Sequence, residues 1–220
     1  MKTIQRIVLL ALLPFLLGSF MPAKDFTGTI VYNITYDMEN MDPQMSSFLP
    51  KTMKLTVKAP MSKSEVIMGM GSNVSIFNSD DRSGVNLIDM MGQKFAVKVS
   101  SEDVDKEFAK AGEVDVIHSD ETKDILGYSC KKAVVRIKES GDELTVFYTE
   151  ELSSGIENTN TPIFKDIDGM MLEFSMNQNG INMHFTAVNV DSKKVSNSEF
   201  DVPEGYQEIS QEELQNRFGM

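Results

Sequence analysis

Short runs of strictly alternating apolar and polar residues, separated by turn signals of two to five residues, leave this chain few folds to choose from. Between Lys51 and Val99 such runs follow one another without a break: Met53, Leu55, Val57 and Ala59; Val66, Met68 and Met70; Val74 and Ile76; Val85 and Leu87; Phe95, Val97 and Val99. Successive side chains of a strand point to opposite faces, so this alternation marks a sheet with one apolar face. A parallel crossover needs about a dozen residues or more. The turn signals here, at Ser62-Lys63, Gly71-Ser72-Asn73, Asp80 to Gly84 and Gly92-Gln93, are far shorter. The segment is therefore expected to form neighbouring antiparallel strands in one sheet.

The same pattern flanks it. Phe26, Gly28, Ile30, Tyr32, Ile34 and Tyr36 alternate with mostly polar residues and predict a long first strand. Asp120 to Glu151 reads as a polar lead-in, one long strand, a Gly-containing turn at Ser140 to Asp142 and a second strand. Met170, Leu172, Phe174 and Met176 then lead into Asn179-Gly180, a dipeptide favoured in tight hairpins, and the return strand carries Ile181, Met183, Phe185 and Ala187. Ser153 to Pro162 reads as a polar loop.

Three segments have helical signals. Met38, Met41, Met45 and Leu49 fall at helical spacing within residues 37–50, although Pro43 interrupts them, so a short amphipathic helix or a Met-lined loop is expected. Ser101 reads as an N-cap for a helix carrying Val104, Phe108 and Ala111, with Gly112 as its stop. Ser210 and Glu213 form a capping box, with Ile209 and Leu214 placed to pack together around the start of a last helix in which Leu214 and Phe218 share a face.

Lys2 and Arg6 precede an apolar run from Ile7 to Leu17, followed by small residues and Pro22-Ala23, the layout of a secretory signal peptide over residues 1–23. The run is shorter than the roughly 20 residues of a membrane span. It is expected to be cleaved, after Ala23 or after Ser19, and no cysteine stands near it to take a lipid. What remains, residues 24–220, has no linker or repeat and is read as one periplasmic or secreted domain. Setting Lys2 and Arg6 aside from the 21 basic residues leaves 19 against 33 acidic ones. Such a balance disfavours nucleic acid and anionic membrane surfaces as partners. The single cysteine allows no internal disulfide, so the core alone must hold the domain. Sixteen methionines and no tryptophan suit either a packed core or an adaptable apolar surface.

Chemistry-bearing residues are sparse. His118 and His184 are the only histidines, and their separation forms no metal-binding spacing. His184 falls on the polar face of its strand and reads as solvated, with no acid, base or nucleophile pattern around it. His118 stands beside Ser119 and Asp120, but adjacent residues of a strand point apart. Cys130, between Ser129 and Lys131-Lys132, reads as a small buried residue rather than a nucleophile, although basic neighbours can activate a thiol. Asp166-Ile167-Asp168-Gly169 lacks the outer ligands of a calcium loop, Gly69 to Ser72 lacks the Lys and helix of a phosphate cradle, and the triplets Asn33-Ile34-Thr35 and Asn73-Val74-Ser75 are short enough to arise by chance. No catalytic residue, metal ligand or cofactor is assigned.

Three separated stretches carry a resemblance: Thr122-Lys123-x-Ile125-x-Gly127-Tyr128-x-Cys130-x-Lys132; Pro162-Ile163-Phe164 with Gly169-x-x-Leu172-Glu173-Phe174; and Phe200-x-Val202-Pro203-x-Gly205-Tyr206. Together they resemble an uncharacterised family of secreted domains from Gram-negative bacteria, related in architecture to the periplasmic lipoprotein-carrier (LolA-like) fold. The resemblance implies a fold and a compartment, and no catalytic residues. The strand count and one-sided patterning agree with it: a mainly β (α+β) domain, a strongly curved antiparallel sheet or unclosed β-barrel with two or three short helices covering the concave face or mouth. The function expected is a binding module holding an apolar ligand, such as an acyl chain, a lipid or a lipidated protein, against Met38, Met41, Met45, Met170, Leu172, Phe174, Met176, Met183 and Phe185. The rival is a structural or interaction domain with a filled core that docks an envelope protein. An envelope hydrolase or thiol enzyme would rest on Cys130 and His118 alone.

Overall fold

The computed structural model describes residues 26–37, 48–156, 158–178 and 180–218. The segment 1–23 and the methionines at 38, 41 and 45 lie outside them. In chain order the elements are β1 (Gly28–Tyr36), β2 (Thr52–Lys58), β3 (Met61–Met68), β4 (Gly71–Asn78), β5 (Ser83–Met90), β6 (Gln93–Val99), α1 (Ser101–Lys110), β7 (Val114–Ile125), β8 (Tyr128–Ile137), β9 (Glu143–Thr149), β10 (Met170–Gln178), β11 (Ile181–Asp191), β12 (Gln207–Glu208) and α2 (Gln211–Phe218).

Two meanders make the sheet. β1 to β6 follow one another in space as they do in sequence, and so do β7 to β11. The pairing of β1 with β11, where Ile34 faces Phe185, joins the meanders into one curved, unclosed sheet of twelve strands among the described residues. All pairs are antiparallel except β12 on β6, a two-residue parallel addition at one edge. The other edge is β7, whose outward residues are almost all polar and exposed, a composition that discourages further strand pairing.

Several local expectations shift. Ser62 and Lys63 do not turn the chain but sit inside β3, opposite Val57 and Thr56. The turn forms instead around Pro60, which has no N–H to give to a ladder. Met70 leaves its strand and stands 53% exposed in the β3–β4 turn. The lead-in at Asp120 belongs to β7, which continues to Ile125 and turns at Leu126-Gly127, with φ of 56° and 85°. Turns with two positive φ values favour Asn-Gly, so Leu at the first position conceals this one. Ser100, rather than Ser101, caps α1, exchanging bonds with Asp103 in a capping box, and Val104 is the residue this helix buries.

The sheet uses both faces unequally. On one, Ile30, Tyr32, Val146, Leu172 and Phe164 belong to the main core, and all are at most 1% exposed. Burying one such side chain contributes about 1.5–3 kcal/mol. On the same face at the β6 end, Ile209 and Leu214 pack over Phe95 and Val97, fixing α2 there. The Ser210–Glu213 capping box starts that helix, with bonds of 3.0 and 3.1 Å. On the opposite face, Val195 and Phe200 cover Ile76, Leu87 and Ala96, so the segment after β11 straps the outside of β4 to β6. Among the described residues no helix is long and apolar enough to cross a membrane.

Candidate ligand-binding cavity

Six adjacent strands, β4, β3, β2, β1, β11 and β10, contribute to one open cavity of about 190 Å³. The long connection from β9 to β10 closes the side that the sheet leaves open. Its apolar wall comes from Tyr32, Met53, Leu55, Phe174, Met176 and Phe185, and the connection adds Ile156, Asn158, Asn160, Thr161 and Phe164. None of the described lining side chains carries a charge.

The residues 153–162 expected as a polar loop are therefore anchored at both ends and turned inward. Leu152, Phe164 and Ile167 are 4%, 0% and 2% exposed. Phe26 N–H donates to Ser153 O at 2.8 Å, holding the loop to the start of β1. Asn158 Nδ2 donates to the carbonyls of Ile167 and Gly169, at 3.0 and 3.4 Å, and braces the loop across its own width.

Phe174 is the hub of the wall. It stacks on Phe185 and meets Tyr32 and Phe164 edge to face, each at 5.8 Å between centroids. Tyr32 is 1% exposed, and its hydroxyl donates to Met171 O at 2.9 Å, so the one polar atom of this wall's aromatic set is satisfied. Burial pushes its pKa well above the ordinary tyrosine value.

Of the sequence-derived residues, Met170, Phe174, Met176 and Phe185 line the cavity. Leu172 does not; it is 0% exposed within the core. The pairing of β10 with β9 slips between Met171 and Glu173, and Leu172 is the extra residue of that bulge. Met183 packs against the core without lining the cavity. The alternation pattern could not reveal Ile156 or Phe164, which belong to no strand, nor Ser62, Ser64 and Ser75, which are polar residues on an inward face.

The nucleophile and base candidates stand elsewhere. Cys130 is 0% exposed, and burial, with Asp124, Glu151 and Glu173 adding to it, pushes the thiol up to about 11. His118 Nδ1 lies 3.0 Å from the Tyr148 hydroxyl. His184 is not merely solvated: Nδ1 lies 2.9 Å from Ser175 Oγ, and Nε2 lies 3.0 Å from Asp37 Oδ1. Hydroxyl, imidazole and carboxylate in series resemble an activated nucleophile. Neither Ser175 nor His184 lines the cavity, and the β9 ladder along β10 stops at Phe174, one residue before Ser175. The trio instead braces the end of β1 to β11, with Asn182 Nδ2 on the second Asp37 oxygen at 3.0 Å. Among the described residues, no three His, Cys, Asp or Glu side chains are grouped to hold a metal ion.

Comparison with known proteins adds a family and a fold. The family model described as N-glycanase peptide, N-terminal domain, matches residues 65–213. The solved structure of PNGF-II is similar with a TM-score of 0.52 at 16% identity, covering 87% of this chain and 32% of that one. This chain thus spans about a third of PNGF-II. LprF from Mycobacterium bovis has a TM-score of 0.34 at 11% identity, over 77% of this chain and 88% of its own. The Mycobacterium tuberculosis lipoprotein LppX has 0.31 at 10%, over 78% and 89%. Comparison with curated proteins gives no match.

Proposed function

Because this chain belongs to the family of the N-glycanase peptide N-terminal domain, we propose that it works as a non-catalytic binding module, holding an apolar group in the cavity beneath the β9–β10 connection. The observation that carries this reading is the cavity itself: a space whose described lining carries no charge, with Met53, Leu55, Phe174, Met176 and Phe185 along one wall. A mainly apolar concavity that also carries polar groups, here Ser62, Ser64, Ser75, Asn158, Asn160 and Thr161, is the usual character of a small-molecule site. Methionines at its rim suit an occupant of variable shape. A dry cavity of about 150 Å³ accepts a benzene-sized guest, so this one suits a ring or a short run of methylenes rather than an entire two-chain lipid. The end of an acyl chain, free or carried by a lipidated protein, has that size. The sequence layout of residues 1–23 supports export to the periplasm or beyond, and residues 24–220 then act as one domain.

Native mass spectrometry and solvent extraction of protein purified from its own compartment test the reading. A co-purifying apolar molecule is expected, lost in the bulky variant Leu55→Trp. Protein that carries no such molecule and takes up no apolar probe would sink it.

A second reading, a docking domain for another protein, is favoured by the family description itself, which names one domain of a longer protein. Ile67, Met70 and Met91, 70%, 53% and 78% exposed, would serve as contacts. Crosslinking in cells separates the two: a single protein partner with an empty cavity favours docking.

A further inference from the structure

We propose that the occupant of this cavity is an uncharged, hydroxylated amphiphile, bound with its apolar part against Phe174 and Phe185 and its hydroxyls against β3 and β4. This rests on the reading of the cavity as a ligand site and adds the class of ligand.

The polarity of the lining changes abruptly from strand to strand on one face. Crossing from β2 to β3, Leu55 faces Ser64 and Val57 faces Ser62; crossing on to β4, Ser64 faces Ser75. The wall thus passes from aliphatic to hydroxyl within one strand spacing of about 5 Å. The hydroxyls of Ser62, Ser64 and Ser75 have no hydrogen-bond partner among the described residues, although all three residues are half-buried. Alanine or valine would serve a purely apolar guest better, because a half-buried hydroxyl facing hydrocarbon loses its hydrogen bonds to water. Across the cavity, Asn158 spends its Nδ2 on backbone carbonyls, which leaves Oδ1 as its remaining acceptor, and Asn160 adds a second amide.

Charge excludes the common anionic lipids. A carboxylate or phosphate would enter a cavity whose described lining offers no cation, on a chain of formal net charge −12. Its desolvation would go uncompensated. A glycerol or sugar hydroxyl both donates and accepts, as serine hydroxyls and amide groups require. Sugar-headed and glycerol-headed amphiphiles share this chemistry.

An eight-carbon series tests it, with binding measured by calorimetry below the micelle concentration and by displacement of the neutral dye Nile red from the full chain. The probes are octyl β-glucoside, monooctanoylglycerol and octanoate. The first two are expected to bind about tenfold tighter than octanoate, the order of change that two neutral hydrogen bonds supply. Whichever is tighter identifies the headgroup source. Ser64→Ala combined with Ser75→Ala should erase that preference. If Nile red binds but the three probes bind alike, or octanoate binds tightest, the ligand class is wrong and the cavity reading survives. If neither Nile red nor any probe binds, the cavity reading fails and this inference with it.

Discussion

The rings of Phe174 and Phe185 lie face to face, 4.6 Å apart at their centroids and 2° from parallel. They sit directly opposite each other on β10 and β11, and Phe185 in turn faces Ile34 on β1, so the stack lies within the second meander, beside its seam with the first. The same pair forms part of the cavity wall and ties the two strands next to the seam. A ligand that reached it would touch the element on which the fold depends.

Removing half of this pair should therefore register in stability before it registers in binding. Phe174 is 6% exposed and contacts three other rings. Phe174→Ala is expected to cost about 3–5 kcal/mol, the usual range for deleting a buried aromatic ring. Phe174→Leu, which keeps more of the volume, should cost clearly less. Urea unfolding of the two variants checks this, and equal losses would mean that the volume at this position contributes nothing.

Tyr32 allows a subtler test of the same wall. Its hydroxyl reaches Met171 O at 2.9 Å from a fully buried position. Tyr32→Phe keeps the ring and its contact with Phe174 but removes the donor. A loss of about 1 kcal/mol is expected, the net value of one ordinary hydrogen bond. Apolar-probe affinity should stay unchanged, because the hydroxyl is spent on the backbone rather than on a ligand. A probe affinity that fell with the hydroxyl would place that group in the binding site.

The paired phenylalanines could be read in the sequence because two simple signals coincide there: period-two alternation and an Asn-Gly turn. Counting outward from that turn puts Phe174 opposite Phe185 and also Ser175 opposite His184. The first pairing follows from hydrophobic patterning. The second is polar and carries no such mark, and its third member, Asp37, is distant in sequence. Ser64 and Ser75 were hidden for a related reason: serine in a strand is ordinarily read as outward, and only the register of β2 to β4 shows them facing in, while Ser62 was read as part of a turn. Ile156 and Phe164 sit in a connection whose surrounding Asn, Thr and Ser residues suggest solvent. Leu172 was misplaced because a bulge breaks the alternation on which its assignment relied.

The brace around His184 predicts a weak response to acid. Hydrogen bonds from His184 and then Asn182 hold the Asp37 carboxyl below the usual carboxylate range. A lowered folded-state pKa gives stabilisation that is present above the unfolded value, near 3.8, and lost as pH falls through the lower folded value. Asp37→Asn should therefore flatten the stability profile below pH 4. The effect should be small, because the pair is exposed and screened. Carboxyl titration by NMR checks the direction directly, and an Asp37 pKa above 3.8 would contradict it.

Cys130 should behave as core, and alkali is where this shows. Its thiol is pushed up to about 11 from the ordinary cysteine value of 9.0, chiefly by burial. The thiol form is thus favoured in the folded protein, while the unfolded chain ionises first as pH rises. Its contribution is complete below about pH 9 and declines between 9 and 11. Cys130→Ala should remove that part of the alkaline loss while costing stability at neutral pH through the space it leaves at a position that is 0% exposed. Melting temperatures of both proteins from pH 7 to 11 measure the difference in slope. Reaction with an aromatic disulfide reagent at pH 8 provides an independent check: the folded protein is expected to react at least a hundredfold more slowly than protein in guanidinium, since a thiolate must form and be reached. Fast modification of the folded protein would return Cys130 to the list of reactive groups and reopen a thiol chemistry for this domain.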